Sequence, residues 1–301
     1  MKKMQTTVSI GIMAYNEEKN IGNLLDALIK QKLEIVNIEE IIVVSSGSTD
    51  RTNEIVKKYQ YKYSHIDLIV QKRREGKASA INEFLKRARN EILVLESADT
   101  LPLEKTIEKL CAPFLNPQIG MCGARPIPVN NPNSFLGFVA HTLWALHHKM
   151  ALISPKCGEL VAFRKVFSRL PVDTAVDEAW IEHEIVRRGY KIVYIPDAIV
   201  YNKGPEKIKD FIRQRRRIAV GHIDLLQRTN YKVSSMKPSI LLRLLIQSFP
   251  LHPVKSFWFI AALILESYAR LLGLYDYYIA NKNHAIWEVA SSTKNPINKS
   301  V

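Results

Sequence analysis

The sequence is poor in features that mark several common protein classes. Its 301 residues include three cysteines, Cys111, Cys122 and Cys157, whose scattered positions form neither a metal-binding spacing nor a disulfide framework. This usage fits a reducing compartment. No low-complexity tract or internal repeat is present, and Met1–Thr7 leads into a strand pattern without the apolar region of a secretory signal. We therefore expect a packed globular chain without a secretory leader.

Acidic residues are also scarce. The chain has 29 Asp and Glu against 43 Lys and Arg, a net charge of +14. Between Lys203 and Arg243, eleven basic residues accompany three acidic ones. Such a zone is either a solvated helix face or a surface that attracts phosphates, anionic lipid or nucleic acid. Because the basic residues lack interleaved base-stacking aromatics, we expect no nucleic-acid partner.

Long hydrophobic runs are missing as well. Phe257–Leu265 is nine consecutive apolar residues, whereas a transmembrane helix needs about 20. A longer window, Ser256–Leu274, includes Glu266 and Arg270; its apolar residues contribute about −3 to −5 kcal/mol to insertion and its charges cost about +5 to +7 kcal/mol. The balance favours helices that lie in the membrane interface. The alternatives are packing on the rest of the chain and a homo-oligomer interface.

The first 125 residues alternate between strand and helix patterns. Asn16 is suited to cap a helix with Glu17 and Glu18 in its first turn. Predicted strands are Val8–Met13, Ile41–Val44, His65–Val70 and Ile92–Leu95, separated by helices that follow Asn16, around Asn53–Tyr59, and over Ala78–Arg89. This order predicts an α/β fold, a doubly wound, mostly parallel sheet with helices on both faces.

After Gly120 the pattern changes. The predicted elements are a helix over Phe135–Leu152, a strand over Gly158–Phe163, a helix over Glu178–Arg188, and two strands, Lys191–Tyr194 and Ala198–Tyr201. From Lys207 the chain looks helical, with prolines at 238, 250 and 253 as breaks. We expect a domain over residues 1–225 and a helical, membrane-associating region over residues 226–301.

Polar segments follow three of the predicted strands. They are Ala14-Tyr15-Asn16-Glu17, Ser45-Ser46-Gly47-Ser48-Thr49-Asp50, and Glu96-Ser97-Ala98-Asp99. Open α/β sheets bind ligands at the carboxyl ends of their strands, and carboxylates there suit magnesium or manganese that bridges phosphates. The first two segments are equally typical of a capped helix and an ordinary Ser/Thr/Asp turn.

A basic loop, Arg73-Arg74-Glu75-Gly76-Lys77, precedes the third helix. Its cations around a glycine at a helix N-terminus are suited to a diphosphate. It is not a Walker loop, because the glycine spacing and the following Ser or Thr are wrong.

Together these segments resemble family 2 glycosyltransferases, which have the GT-A fold. The matching stretches are Ser9–Glu18, Glu40–Thr52, Glu75–Asn82, Leu93–Thr100, Gly158–Arg164, Val176–Gly189 and Gln214–Ile218. Two departures stand out. Ser97 replaces the first carboxylate of the usual Asp-x-Asp motif, and Ser45-Ser46 replaces the usual acidic residue after the second strand. Glu96 substitutes poorly, since it would point to the opposite side of the strand.

The resemblance implies roles for particular residues. Glu178 would be the catalytic base and Asp177 its companion, while Asp99 would bind magnesium or manganese. The residues implied in binding the nucleotide sugar are Ala14, Tyr15, Asn16, Glu17, Ser46, Arg73, Gly76, Lys77, Ser97, Ala98, Gln214 and Arg217. Without the family, Asp177 and Glu178 are equally typical of acids at a helix N-terminus.

The sequence thus predicts an inverting, metal-dependent glycosyltransferase that uses a UDP- or GDP-sugar. Its acceptor would be a lipid carrier or a membrane-proximal glycan, and its location the cytoplasmic side of the cell membrane, as a peripheral or monotopic protein. The non-enzymatic alternative is a weakened nucleotide-sugar-binding or membrane scaffold protein, suggested by Ser97 and Ser45-Ser46. A nucleotidyltransferase would need a Gly-rich loop after the first strand, which Ala14–Glu17 does not provide.

Overall fold

A computed structural model describes residues 5–286, 291–295 and 297. Eight strands form one sheet. They are β1 Thr6–Ala14, β2 Val36–Ser46, β3 Ile66–Gln71, β4 Ile92–Ser97, β5 Leu101–Pro102, β6 Ile119–Pro128, β7 Leu160–Arg164 and β8 Lys191–Asn202. Their order is β3-β2-β1-β4-β7-β6-β8-β5. Strands β1 to β4 run parallel and β6 is parallel to β8, while β7 and β5 are antiparallel to their neighbours. The expected mostly parallel α/β sheet is confirmed.

Nine α-helices accompany the sheet in the described part of the chain. They are α1 Ile21–Ile29, α2 Thr52–Lys62, α3 Lys77–Arg87, α4 Thr106–Cys111, α5 Phe135–Ile153, α6 Asp177–Val186, α7 Ile208–Thr229, α8 Pro238–Gln247 and α9 Pro253–Tyr278. Helices α1, α2 and α4 pack on one face of the sheet, and α3 and α6 pack on the other. Both faces are therefore buried, as the continuous apolar patterns of the inner strands require.

Two expectations about local structure were wrong, and one strand was not predicted. Asn16 does not cap α1, which begins five residues later at Ile21, because Asn16 has a positive φ of 52° and its side chain accepts a hydrogen bond from the Thr49 N–H. The two strands expected between Lys191 and Tyr201 are the single strand β8. Strand β6 was not anticipated, since its two glycines and two prolines are unfavourable in strands; pairing with β7 and β8 holds it.

The C-terminal helices pack against the sheet domain rather than apart from it. Gly273 of α9 lies so close to α7 that an added Cβ would be 2.8 Å from the Ala219 Cβ. A buried stripe runs along α9 at a spacing of three and four residues: Phe259, Ala262, Ala269, Gly273 and Asp276. Helix α7, Ile208–Thr229, continues across the expected domain boundary at residue 225. The division of the chain into residues 1–225 and 226–301 stays a proposal. Residues 287–290, 296 and 298–301 of that region lie outside the described part.

Candidate active site

One large cavity lies at the carboxyl ends of the central parallel strands. Its volume is about 970 Å³, and its walls include Ala14 at the end of β1, Ser46 at the end of β2, Ser97 at the end of β4, and Asp99 just beyond it. The chain order reverses between β1 and β4, which is the topological switch point where open α/β sheets bind ligands. The sheet topology therefore brings together segments that are more than 80 residues apart in the sequence.

Most residues expected at the site line this cavity. They are Ala14, Tyr15, Glu17, Ser46, Gly76, Lys77, Ser97, Asp99, Asp177, Glu178, Gln214 and Arg217. Three others do not. The side chain of Asn16 is held by the Thr49 N–H, Arg73 is exposed beside Glu75, and Ala98 is packed in the core because it alternates with Asp99.

The end of the cavity beside Tyr15 is built from two turns. Gly47 has a φ of 68°, and an added Cβ would be 2.5 Å from the Arg74 nitrogen, so only glycine fits this close approach of two loops. The turn places the Arg74 guanidinium 4.3 Å from the centre of the Tyr15 ring, a cation–π contact. Arg74, rather than Arg73, is the loop arginine that lines the cavity.

Lys77 connects the basic loop to the acidic pair. Its Nζ lies 2.8 Å from Oδ2 of Asp177 and 2.7 Å from Oε1 of Glu178. Gly76, with a φ of 89°, precedes it and allows the turn into α3. The expected diphosphate-binding lysine is thus bonded to both acids of the expected catalytic pair.

The pKa values of the two acids shift in opposite directions. Burial raises the pKa of each carboxyl, but for Glu178 the Lys77 ammonium more than offsets burial, and its net pKa is lowered. Burial and then the neighbouring Glu178 charge raise the pKa of Asp177. Glu178 is therefore ionised at neutral pH and able to accept a proton.

Asp99 lies beside a further acid that the sequence did not reveal. Burial, followed by repulsion from Asp99 and Glu178, raises the pKa of Glu159 to about 7. Leu160, the first residue of β7, pairs with Glu96 at the end of β4, and this register brings Glu159 to the Asp99 edge. The sequence did not reveal Glu159 as a site residue because the antiparallel pairing of β7 with β4 cannot be read from a local pattern.

The residues around Asp99 fit a divalent cation. Asp99, Glu159, Asp177 and Glu178 concentrate negative charge, and the Oδ1 of Asn202, whose amide nitrogen donates to Glu159, is buried without a hydrogen-bond partner. Within the described residues no group of three or more His, Cys, Asp or Glu forms a complete metal cage. A magnesium ion is commonly bound by one or two carboxylates together with substrate phosphates, a role that Asp99 could fill.

Glu96 does not replace the missing carboxylate of the metal motif. It is fully buried, accepts a hydrogen bond from the Thr100 hydroxyl at 3.0 Å, and lies on the side of β4 opposite the cavity-lining Ser97. Burial raises its pKa to about 8. The expectation from strand alternation is met.

A segment near the C-terminus also reaches the end of the cavity beside Tyr15. The Nζ of Lys294 donates to the Tyr15 carbonyl at 3.0 Å and contacts the Glu17 carboxylate. Ala285, Ile286 and Thr293 line the same cavity. No pattern in the sequence indicated this contact, because it joins residues 277 or more positions apart.

Two family models match the chain. "Glycosyl transferase family 2" matches residues 9–156, and "Glycosyl transferase family group 2" matches residues 92–279. The chain belongs to glycosyltransferase family 2. Its resemblance to that family, noted from the sequence, is confirmed, and the GT-A fold accounts for the sheet order and the position of the cavity.

Relatives and solved structures agree with this assignment. The poly-beta-1,6-N-acetyl-D-glucosamine synthase of Staphylococcus epidermidis is 27% identical over 238 residues, covering 73% of this chain and 56% of that protein. The chain thus matches about half the length of this curated relative. The mannosyltransferase PcManGT from Pyrobaculum calidifontis, in complex with GDP-Man and Mn²⁺, has a TM-score of 0.60 at 23% identity, with 92% and 81% of the two chains covered.

A third neighbour is residues 1–349 of S. aureus TarS in complex with UDP-GlcNAc. It has a TM-score of 0.51 at 18% identity, and the alignment covers 90% of this chain and 89% of that one. Because these two solved structures are only 23% and 18% identical to this chain, their likeness establishes its fold and nothing further.

Proposed function

We propose that the protein transfers a sugar from a nucleoside-diphosphate sugar to an acceptor hydroxyl, with inversion at the anomeric carbon. The observation that carries this proposal is the ionised Glu178 carboxylate, bonded to Lys77 in the same cavity as Asp99. This arrangement combines a general base with groups that recognise phosphate. Membership of glycosyltransferase family 2 supports it.

The donor is a UDP- or GDP-sugar, with its nucleoside against Tyr15, Arg74 and Ser46. Asp99 would hold magnesium or manganese, and Lys77 and Arg217, which line the same cavity, would add positive charge for the donor's diphosphate. The neighbours solved with GDP-Man and Mn²⁺ and with UDP-GlcNAc support this choice of donor. When bound, the metal supplies charge neutralisation for the leaving diphosphate.

The transfer step needs only the groups already described. The acceptor oxygen attacks the anomeric carbon from the side opposite the diphosphate, and Glu178 takes the proton of that hydroxyl. The new carbon–oxygen bond replaces the bond to the nucleoside diphosphate, which leaves as the free anion. Lys77 and Arg217 stabilise the charge that develops on it.

The acceptor is a lipid carrier or a membrane-proximal glycan, reached from the cytoplasmic side of the cell membrane. Among the described residues α9 is the one helix long and apolar enough to cross a membrane. Its buried stripe packs on α7, while Phe257, Ile260, Ile264 and Leu271 on other faces are exposed. Of the 24 exposed large hydrophobic residues in the described part of the chain, 16 lie between Leu242 and Ile286. A helix anchored on one face and apolar on another favours monotopic attachment over spanning.

The donor assignment is tested by thermal shift. Wild type, Asp99→Asn and the control Asp197→Asn, which changes an exposed aspartate outside the cavity, are heated with UDP- and GDP-sugars, with and without Mn²⁺. We expect Mn²⁺-dependent stabilisation in wild type and Asp197→Asn and its loss in Asp99→Asn, because a ligand that binds the folded state raises its stability. Failure of every nucleotide sugar to stabilise wild type would contradict the proposal.

Membrane attachment is tested by flotation with liposomes containing anionic lipid. We expect the chain to float at low salt, and Phe257→Ser/Ile264→Ser to remain at the bottom of the gradient. Equal flotation of both proteins would exclude this face of α9 as the attachment surface. Sedimentation of the wild type as a dimer without lipid binding would assign the face to a second copy of the chain.

A nucleotide-sugar-binding scaffold is the second candidate, because Ser97 stands in the cavity where the family has a carboxylate. Release of free nucleoside diphosphate separates the two functions. A scaffold binds the donor and releases none, whereas the transferase releases it in proportion to the acceptor glycosylated.

A further inference from the structure

The cavity continues past Glu178 into a compartment with its own charged groups. Five of them form what we call the acceptor-side cluster: Lys156, Glu182, Arg215, Glu266 and Arg270. Glu182 is four residues after Glu178 on α6, so one helical turn, about 5.4 Å along the axis, separates the two acids. The cluster therefore borders the proposed catalytic base.

The cluster is held by ion pairs of α7 and α9 and by hydrogen bonds of α6 and of the loop before β7. Glu266 of α9 accepts from the Nε of Arg215 at 2.6 Å and from the Nε of Arg270 at 2.7 Å. Glu182 accepts from the Cys157 N–H at 2.8 Å, and the Lys156 Nζ donates to the Ser235 hydroxyl at 3.2 Å. Among the described residues, no carboxylate lies within salt-bridge distance of the Lys156 ammonium, whose hydrogen bond is to the Ser235 hydroxyl.

Positive charge exceeds negative charge in this compartment. One carboxylate, Glu266, is shared by two guanidinium groups, and burial raises the pKa of Glu182 to about 7. Burial and then repulsion from Arg215 lower the pKa of Lys156 to about 8. Three cationic side chains and at most two anionic ones thus line a half-buried space, an arrangement that an added anion stabilises.

An apolar wall continues from the cluster towards the exposed face of α9. It is formed by Leu143 and Trp144 of α5, Leu241 and Leu245 of α8, and Phe259, Ala262 and Leu263 of α9. Leu263 both lines the cavity and is 36% exposed, so this wall reaches the surface proposed to contact the membrane. A ligand that spans the compartment meets charge at the inner end and hydrocarbon at the outer end.

We propose that the acceptor-side cluster binds the phosphate group of a phosphate-bearing lipid, whose hydrocarbon chain lies along the wall between α5, α8 and α9. This inference rests on the proposed function, which it deepens by naming the acceptor class. The phosphate is held beside Glu182, and the turn of α6 between Glu182 and Glu178 leaves room for the sugar that presents the attacking hydroxyl to the base.

The test measures binding of decyl phosphate, below its micellar concentration, to the full chain by titration calorimetry without any donor. Decanol and inorganic phosphate are the two reference ligands. The variant is Lys156→Gln, and its matched control is Lys149→Gln, since Lys149 also donates to one serine hydroxyl, that of Ser248 at 2.8 Å, but does not line the cavity. A second variant, Arg270→Lys, keeps a positive charge beside Glu266 on α9 and leaves in place the Arg215–Glu266 ion pair that joins α7 to α9.

We expect decyl phosphate to bind wild type and Lys149→Gln alike and Lys156→Gln about tenfold more weakly, the loss of one charge-assisted hydrogen bond. Arg270→Lys should weaken binding while leaving the melting temperature within a few degrees. Equal binding of decanol and decyl phosphate, or an unaltered Lys156→Gln, would overturn the phosphate assignment. Inorganic phosphate binding as tightly as decyl phosphate would overturn the lipid assignment. Because no donor is present in this experiment, its outcome does not depend on nucleotide-sugar binding. A failure of the acceptor proposal is therefore distinguishable from a failure of the proposed function, which the thermal-shift experiment tests.

Discussion

Replacing Glu178 by Gln removes the proposed base with little change in shape. The Glu178 carboxylate bonds to Lys77 at 2.7 Å, and the Asp177 carboxylate bonds to the same ammonium at 2.8 Å. In the variant Lys77 therefore keeps one anionic partner, and the side-chain volume is unchanged. We expect the protein to fold and to bind its donor.

The expected loss is in the chemical step. General-base catalysis contributes about 10²- to 10⁴-fold to rate, which corresponds to about 3–5 kcal/mol of transition-state stabilisation. Because the pKa of Glu178 is lowered, the wild-type base is ionised throughout the neutral range and the loss should not depend on pH between 6 and 8. The donor KM should change less than about threefold, since the base contacts the acceptor.

The assay follows release of nucleoside diphosphate and, separately, donor binding by calorimetry. Glu184→Gln is the matched control: it makes the same chemical change on α6, at a residue that bonds to Arg187 and Arg188 outside the cavity. The reasoning fails if Glu178→Gln keeps kcat within threefold of wild type. It also fails if donor affinity falls as much as kcat, because Glu178 would then be part of the donor site.

Three further changes test other parts of the structure. Ser97→Asp adds a carboxylate on the cavity side of β4 beside Asp99. It should lower the Mn²⁺ concentration for half-maximal activity about tenfold, which corresponds to about 1.4 kcal/mol of binding free energy. An unchanged Mn²⁺ titration would place the metal elsewhere. Lys294→Ala removes the cation that contacts Glu17 and the Tyr15 carbonyl, and steady-state kinetics should show a donor KM raised about tenfold with kcat nearly unchanged. The pKa of Glu266 is lowered to about 2 because Arg215 and Arg270 outweigh the effect of burial. The ionised Glu266 carboxylate therefore stabilises the folded state above its ordinary pKa of 4.5, and this contribution is lost as the pH falls towards 2. Urea unfolding should therefore show wild type losing about 2 kcal/mol more than Glu266→Gln between pH 6 and pH 3, and parallel losses would contradict the ion-pair assignment.

Local patterns in the sequence were enough for the architecture around the first four strands. Apolar runs such as Ile41–Val44 and Ile92–Leu95 cannot be covered except in a sheet buried on both faces, so their alternation with helices dictated the parallel order. Strand β6 was not predicted because its Gly and Pro residues obscure the strand pattern, and the strand is stabilised by pairing with β7 and β8. The predicted helix cap at Asn16 was wrong, because a hydrogen bond with the loop after β2 outweighs the local preference of asparagine for a cap position.

The polar segments at the strand ends, and the family they resemble, were legible in the sequence because each lies within a short stretch of chain. Alternation along β4 also settled the opposite directions of Glu96 and Ser97. Only the tertiary structure brought Lys77 to Asp177 and Glu178, placed Glu159 beside Asp99, and carried Lys294 to Tyr15. Those contacts join residues tens to hundreds of positions apart, and their electrostatic consequences depend on distance and burial, which a linear pattern does not contain.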